Sequence, residues 1–345
     1  MPTTAMPIRN VEELEELLSR PSPADVEAVS QLNGDILILG VAGKMGPTLA
    51  KLIRRSIQES GAPKRTIAVS RFSDARVRAA LESHGVETIS ADLLEPGSLA
   101  KLPDAANVIF MAGRKFGTEG EAHLTWAANT FLPGLVAERY KHSRIAAFST
   151  GNVYGLEKID SAGPTESTPT APVGEYAQAA LGRERMFEYG SCRWKTPVTI
   201  LRLNYAVELR YGVLVDIGLA VYQRRPVDLR TGRVNVIWQR DANSVCLRSL
   251  AHAQSPPLIL NLTGPETLSV RWIAEEFGKR LHVEPVFSGQ ESDRALLSNA
   301  AKCQTLFGPP EVTPSQMIDW IADWIARGGE LLNKPTHFEA QDGKF

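Results

Sequence analysis

The stretch ILILGVAGKMG constrains this chain more than any other. An apolar run enters Gly40-x-x-Gly43-x-x-Gly46, and an amphipathic segment from Pro47 to Glu59 leaves it. Glycine serves three purposes in such a place. The turn is tight, the backbone must come close to a pyrophosphate, and the helix must pack against the strand with its N-terminal amides facing the anion. Between a strand and a helix, at the head of an alternating array, the string reads as a dinucleotide site rather than a plain tight turn.

The array continues. DILILG (35–40), RTIAVS (65–70), VETIS (86–90), NVIFMAG (107–113) and RIAAFST (144–150) are short, apolar and rich in β-branched residues. Helix-like segments at Pro47–Glu59, Ala75–Ser83 and Glu121–Lys141 separate them. Buried runs alternating with helices imply βαβ units, hence an α/β, doubly wound parallel sheet of Rossmann type. The order is less regular after PVTILRLN (197–204): a strand VNVIWQRD (234–241), a helix ANSVCLRSLAHA, a strand PLILNLTG (257–264) and helices around SVRWIAEEFGKRL and SQMIDWIADWIARG. Four units follow from this pattern. Residues 1–34 form a helical extension covering an edge, with Ser22 as N-cap and Pro23 at the first helical position. Residues 35–204 form the dinucleotide domain, 205–330 mainly a substrate-binding lid with some elements returning to the sheet, and 331–345 a tail.

Composition excludes several classes. The 345 residues are 43% hydrophobic and 22% charged with a formal charge of -1, and no Lys/Arg block stands out. That leaves no electrostatic footprint for nucleic acid. Cys192, Cys246 and Cys303 lie far apart without CxxC spacing, and the six histidines show no HxxxH or HxH spacing, so no metal site is expected. The polar N-terminus and the lack of a long apolar run point to a cytoplasmic protein with no membrane partner.

Cofactor choice is read at the end of the second strand, where an acidic residue suits a ribose hydroxyl and an arginine a 2'-phosphate. Ser70 and Arg71 stand there, and Lys44 adds a cation in the glycine loop. This favours NADP, with NAD as the alternative if Arg71 is a solvated surface residue and Asp74 serves instead. Asp92 and Leu93 in ISADLLEP stand where a carboxylate meets the adenine amino group and an apolar side chain packs on the ring. Capping of the next turn is the other reading of Asp92.

The glycine spacing, ADLLEP, VIFMAGRKFG, the asparagine of WAANTFLPG, FSTGNVYG, the tyrosine of GEYAQ, LRLN and LNLTGPETLSV follow one another in the order of a known family. Over roughly Asp35 to Trp324 the chain resembles the extended short-chain dehydrogenases/reductases, the NAD(P)-dependent epimerase/dehydratase group acting on sugars and nucleotide-sugars. The resemblance implies that Thr150 hydrogen-bonds the reacting oxygen and that Tyr176 exchanges its proton. It brings Lys115 and Asn129 near the cofactor, together with Met45, Ala112 and Gly113 of the two glycine turns. Asn204 then lines the substrate pocket. Apart from the resemblance, Arg210, Tyr211, Arg233, Trp238 and Arg240 of the lid half are candidates to line a pocket for a hydroxylated or phosphorylated substrate, and Arg233 is counted with Asn204. The resemblance also implies a homodimer built on helices 121–141 and 175–190.

One position departs from the pattern. Where the family reads Tyr-x-x-x-Lys, this chain reads Tyr176-Ala-Gln-Ala-Ala180. A free tyrosine, with a pKa of about 10, is roughly 0.3% phenolate near pH 7.5. Loss of a neighbouring cation works against hydroxyl oxidation and spares ketone reduction, which needs a neutral phenol. Arg183 shares the helical face but starts about 10 Å further along the axis, too far for a simple substitute, and Lys115 is the better candidate. The leading expectation is therefore an NAD(P)-dependent oxidoreductase or epimerase on a sugar-like substrate. The alternatives are a non-catalytic NADP sensor or scaffold and a lyase or dehydratase using the same pocket.

Overall fold

The structure, a computed structural model, describes residues 7–115, 120–334 and 336–339. Phe116 and Gly117 of VIFMAGRKFG, the first six residues and the end of the tail lie outside the described residues.

Seven strands make one parallel sheet: β1 Ile36–Leu39, β2 Thr66–Ser70, β3 Glu87–Ser90, β4 Asn107–Phe110, β5 Arg144–Thr150, β6 Val198–Leu203 and β7 Leu258–Leu262. In space they run β3-β2-β1-β4-β5-β6-β7. The order reverses between β1 and β4, the switch point at which open α/β sheets bind ligands beyond their carboxyl ends. Period-two geometry explains the apolar runs. Ile36 and Ile38 enter the core on one face of the sheet, Leu37 and Leu39 the core on the other, and all four are buried.

The helices of the dinucleotide half are α1 Val11–Leu18, α2 Pro23–Gln31, α3 Gly46–Ser60, α4 Ala75–Ser83, α5 Ala122–Trp126, α6 Leu132–Arg139 and α7 Gly174–Trp194. Segment 121–141 is helical without a break from 122 to 139, with a π turn over Ala127–Phe131 set between α5 and α6. Ser22 and Asp25 form a capping box on α2. In the N-terminal extension, helix α2 packs on α3, while Leu14 and Leu18 of α1 join a core built mainly from the C-terminal half. Glu15 ties the parts together through Lys51 at 3.1 Å and Arg210 at 2.7 Å.

After β6 come α8 Val213–Tyr222, α9 Gln239–Ser249, α10 Val270–Leu281, α11 Ala301–Phe307 and α12 Pro314–Ala326. Helices α8, α10 and α12 share a core with α1, whereas α9 and α11 pack into the core of the main sheet. Ile318, Ile321, Trp324 and Ile325 share the buried face of α12, and Trp320 packs on Trp238 with ring centroids 5.4 Å apart. VNVIWQRD is no strand: short bridges at Arg233–Val234 and Ile237–Trp238 flank Asn235, and α9 starts at Gln239. Asn235 turns inward, donating to the Glu266 carbonyl and accepting from the Ser298 amide, and this interrupts the ladder. β7 returns to the main sheet, as the pattern after residue 204 implies. Among the described residues no helix is long and apolar enough to cross a membrane.

Candidate functional site

The glycine turn lies at the switch point. Gly40 has φ +90°, and a Cβ there would fall 2.5 Å from the Ala112 backbone; a Cβ on Gly46 would fall 2.0 Å from the Val41 carbonyl oxygen. Those two glycines are required by the chain itself. Gly43 is different, because a Cβ there would come no nearer than 3.7 Å to its nearest neighbour, the Gly40 carbonyl oxygen. Its bareness leaves room for a group outside the protein, so the turn fits a pyrophosphate approaching the N-terminus of α3. Met45 stands at the N-cap position of α3.

At the ends of β2 and β3, Ser70 is half-buried and Arg71 is exposed, its guanidinium 4.0 Å from Asp92. Asp74 caps α4 through the Arg76 amide and pairs with the Arg76 side chain at 2.8 Å. Asp92 accepts from the Leu94 amide at 3.0 Å, the capping role, with its carboxylate half exposed. Leu93 is buried in the core beside β1 and β2.

Over the other half of the sheet, Tyr176 on the first turn of α7 and Thr150 at the end of β5 line the same cavity. Burial pushes the phenol above its ordinary pKa, and the charge of Arg183 and the polar Thr150 side chain partly counter this. Ala180 is buried against Val153 and Tyr154. Lys115 Nζ lies 6.0 Å from the centre of the Tyr176 ring, with its pKa lowered to about 8 by burial. Asn129, on the π turn, accepts from the Arg114 amide at 3.1 Å and donates to the Arg114 carbonyl at 2.7 Å, bracing the turn that carries Gly113. Single π turns of this kind concentrate at functional sites.

Arg183 is where the sequence argument fails. Helical side chains lean toward the N-terminus of their helix, and the arginine reaches back far enough to share a cavity with Tyr176 and Thr150. Its guanidinium donates to the Phe148 carbonyl at 2.6 Å and to Asn129 Oδ1.

That cavity, about 1270 Å³, runs from Gly43 and Lys44 past Tyr176 to the lid. Lys44 Nζ lies 3.1 Å from the centre of the Tyr211 ring, and its pKa is lowered to about 7 by burial, then by Lys115 and Lys334. Asn204 lines the cavity and donates to the Leu296 carbonyl at 3.3 Å. Arg233 is not among the lining residues; it faces Glu291 at 4.0 Å. Arg294 and Lys334 supply lid and tail cations instead. Of the other lid residues, Tyr211 lines the cavity, Trp238 is core, Arg210 pairs with Glu208 and Glu15, and Arg240 with Asp25 and Glu311. Lys334, Thr336 and His337 of the tail form part of the wall, fixed by the Thr336 hydroxyl donating to Asp216 at 2.6 Å. No periodicity marks that segment, so sequence reasoning had nothing to find.

A glycine turn at the switch point of a parallel sheet, with a tyrosine and a threonine over its second half, defines a nucleotide-dependent enzyme fold of the doubly wound class. The model of the NAD dependent epimerase/dehydratase family matches residues 36–207. The chain belongs to that family, within the extended short-chain dehydrogenases/reductases. No curated protein matches it. Among solved structures, a UDP-glucuronic acid 4-epimerase variant from Bacillus cereus, in complex with a fluorinated UDP-sugar and NAD, is 17% identical with a TM-score of 0.71. The UDP-glucose 4-epimerase of Thermotoga maritima with UDP-glucose is 15% identical with a TM-score of 0.70. In both, 85% of this chain covers 99% of the other. At such identity the likeness is one of fold.

Proposed function

We propose that this protein binds NADP, or NAD in its place, and acts as an epimerase or dehydrogenase on a nucleotide-sugar. The observation that carries the reading is that Thr150 and Tyr176 line one cavity with Gly43 and Lys44 of the glycine turn. Gly43, Met45 and the N-terminus of α3 would hold the pyrophosphate; Arg71, the adenosine end. Asp74 is already committed to capping, which supports the arginine over an acidic reader of the ribose. Arg294 and Lys334 give the cavity a positive wall suited to a sugar diphosphate, and Lys44, with its pKa lowered to about 7, adds charge as an anion approaches. Asn204 would meet the sugar.

When bound, the nicotinamide supplies hydride acceptance and return. The chain supplies the proton. With its pKa raised, Tyr176 is a neutral phenol near pH 7, so it is better prepared to protonate a carbonyl oxygen than to deprotonate a hydroxyl. Thr150 orients that oxygen, and Lys115 lends charge beside the ring. Two copies would pair through α5–α6 and α7, as in the resemblance.

The test is a calorimetric titration of nucleotide-stripped protein with NADP⁺ and NAD⁺, repeated on Arg71→Ala, then incubation with UDP-sugars and NMR detection of the epimer or keto product. Selective loss of NADP⁺ affinity in the variant, by roughly tenfold for a lost charge-assisted contact, and loss of product in Tyr176→Phe are the expected results. Absence of binding by either nucleotide would overturn the reading.

A further inference from the structure

Arg183 is an unusual residue to bury. It is 6% exposed, yet both acceptors of its guanidinium are neutral: a backbone carbonyl and an amide oxygen. Its Nε has no hydrogen-bond partner among the described residues. The neighbouring carboxylate, Glu184, is already committed to Arg202 at 2.7 Å and to the Ser149 hydroxyl. A buried cation lacking an anionic partner costs several kcal/mol, and such arrangements cluster at functional sites.

Its surroundings are shaped to keep it there. A Cβ on Gly113 would fall 2.5 Å from Arg183 Nη2, so the glycine of the β4 turn makes room for the guanidinium. The Phe110 ring centre lies 5.6 Å from its central carbon. Phe148, which accepts from Nη1, is two residues before Thr150 on β5. The guanidinium is thus fixed between the ends of β4 and β5, in the cavity that Tyr176 and Thr150 line.

We propose that Arg183, seven residues after Tyr176, is a positioning residue that supplies the charge missing at Ala180: its fixed guanidinium stabilises the Tyr176 phenolate. The inference rests on reading Tyr176 as the proton-exchanging group. Arg183 acts through the tyrosine, and it makes the phenolate accessible from a site whose burial opposes it. Among the described residues, the charged or titratable groups near Tyr176 include Lys115 from the β4–α5 loop and Tyr211, which Lys44 overlies. Lys115 is near neutralisation at about pH 8, whereas a guanidinium keeps its charge throughout.

Phenolate absorbance tests this on the full chain without cofactor or substrate. One of seven tyrosines is isolated by subtracting the titration of Tyr176→Phe. Arg183→Met is expected to raise the Tyr176 midpoint by about one pH unit or more. Arg183→Lys is expected to move it much less, and Lys115→Met less than Arg183→Met. A midpoint unmoved in folded Arg183→Met, or moved more by Lys115→Met, overturns the proposal. If Arg183→Met does not fold, Asn129→Asp sets a carboxylate against the guanidinium and must raise the same midpoint; an unmoved midpoint there overturns it equally. Because no nucleotide is present, this failure is separate from failure of the hydride-transfer reading, which cofactor titration decides.

Discussion

Arg202 on β6 and Glu184 on α7 form a bidentate pair beneath the site, with Nη2 2.7 Å from Oε2, Nε 3.0 Å from Oε1, and side chains only 3% and 1% exposed. The pair is extended on both sides. Ser149 donates to Glu184, Arg202 donates to the Tyr154 hydroxyl at 2.6 Å, and that hydroxyl donates to Asn261 at 2.8 Å. One polar network therefore joins α7 to β5, β6 and β7, and it sets the helix that presents Tyr176 against the sheet. Glu184→Ala leaves a buried guanidinium uncompensated and is expected to cost about 3–5 kcal/mol of stability. Urea unfolding should show a lower midpoint with unchanged slope. Glu184→Ala/Arg202→Met, which removes both charges, should recover part of the loss.

The glycines of the turn separate by what their missing Cβ would meet. Gly46→Ala drives a methyl into the Val41 carbonyl and should destabilise the chain by about 1–3 kcal/mol, the ordinary cost of overpacking. Gly43→Ala has space within the protein, so its melting temperature should stay close to wild type. Its nucleotide affinity should fall all the same, because the methyl stands where a ligand approaches. Calorimetric titration and thermal melting of the two variants check the contrast. Equal loss of stability in both would contradict it.

Lys115 makes stability depend on pH in a defined direction. Its folded pKa, about 8, lies below the unfolded value of about 10.4. Between those values the unfolded chain binds more protons, so stability rises with pH across that window. Below pH 8 the full cost of burying the charge is present. Lys115→Met should therefore stabilise the protein at pH 7 and flatten the rise between pH 8 and 10, as read by denaturant midpoints across pH. Lys44, with a pKa of about 7, contributes in the same direction from a lower pH.

The parts of this fold legible in the sequence are those whose signal is local. β1, β2, β4 and β5 are recognisable because strands covered on both faces must be apolar along their length. Gly40 and Gly46 are recognisable because the chain itself cannot tolerate a Cβ there. Thr150 and Tyr176, 26 residues apart in the chain, line one cavity. Two of the differences share one cause, a side chain reaching a distant backbone group. Asn235 splits an apparent strand through Glu266 and Ser298, and periodicity carries no trace of that. Axial rise alone places Arg183 too far from Tyr176, but side-chain length and lean bring it back into the same cavity. The tail wall at Thr336 depends on Asp216, over a hundred residues away.

Phe131 on the π turn and Tyr189 on α7 are each 60% exposed, with Leu124 and Trp126 of α5 also open to solvent. Large apolar side chains scattered singly over a surface are ordinary. These four belong to the two helical segments that the family resemblance places in a subunit interface, and α7 packs directly on the π turn within one chain. If two copies pair there, an acidic side chain at Phe131 must be buried without a partner, while the isolated subunit meets it only with water. Phe131→Glu is therefore expected to convert a dimer to a monomer in light scattering coupled to size exclusion. The melting temperature should then lose its dependence on protein concentration. A wild-type chain that is already monomeric at micromolar concentration would remove the homodimer from the reading and leave the Tyr176 chemistry, contained within one subunit, untouched.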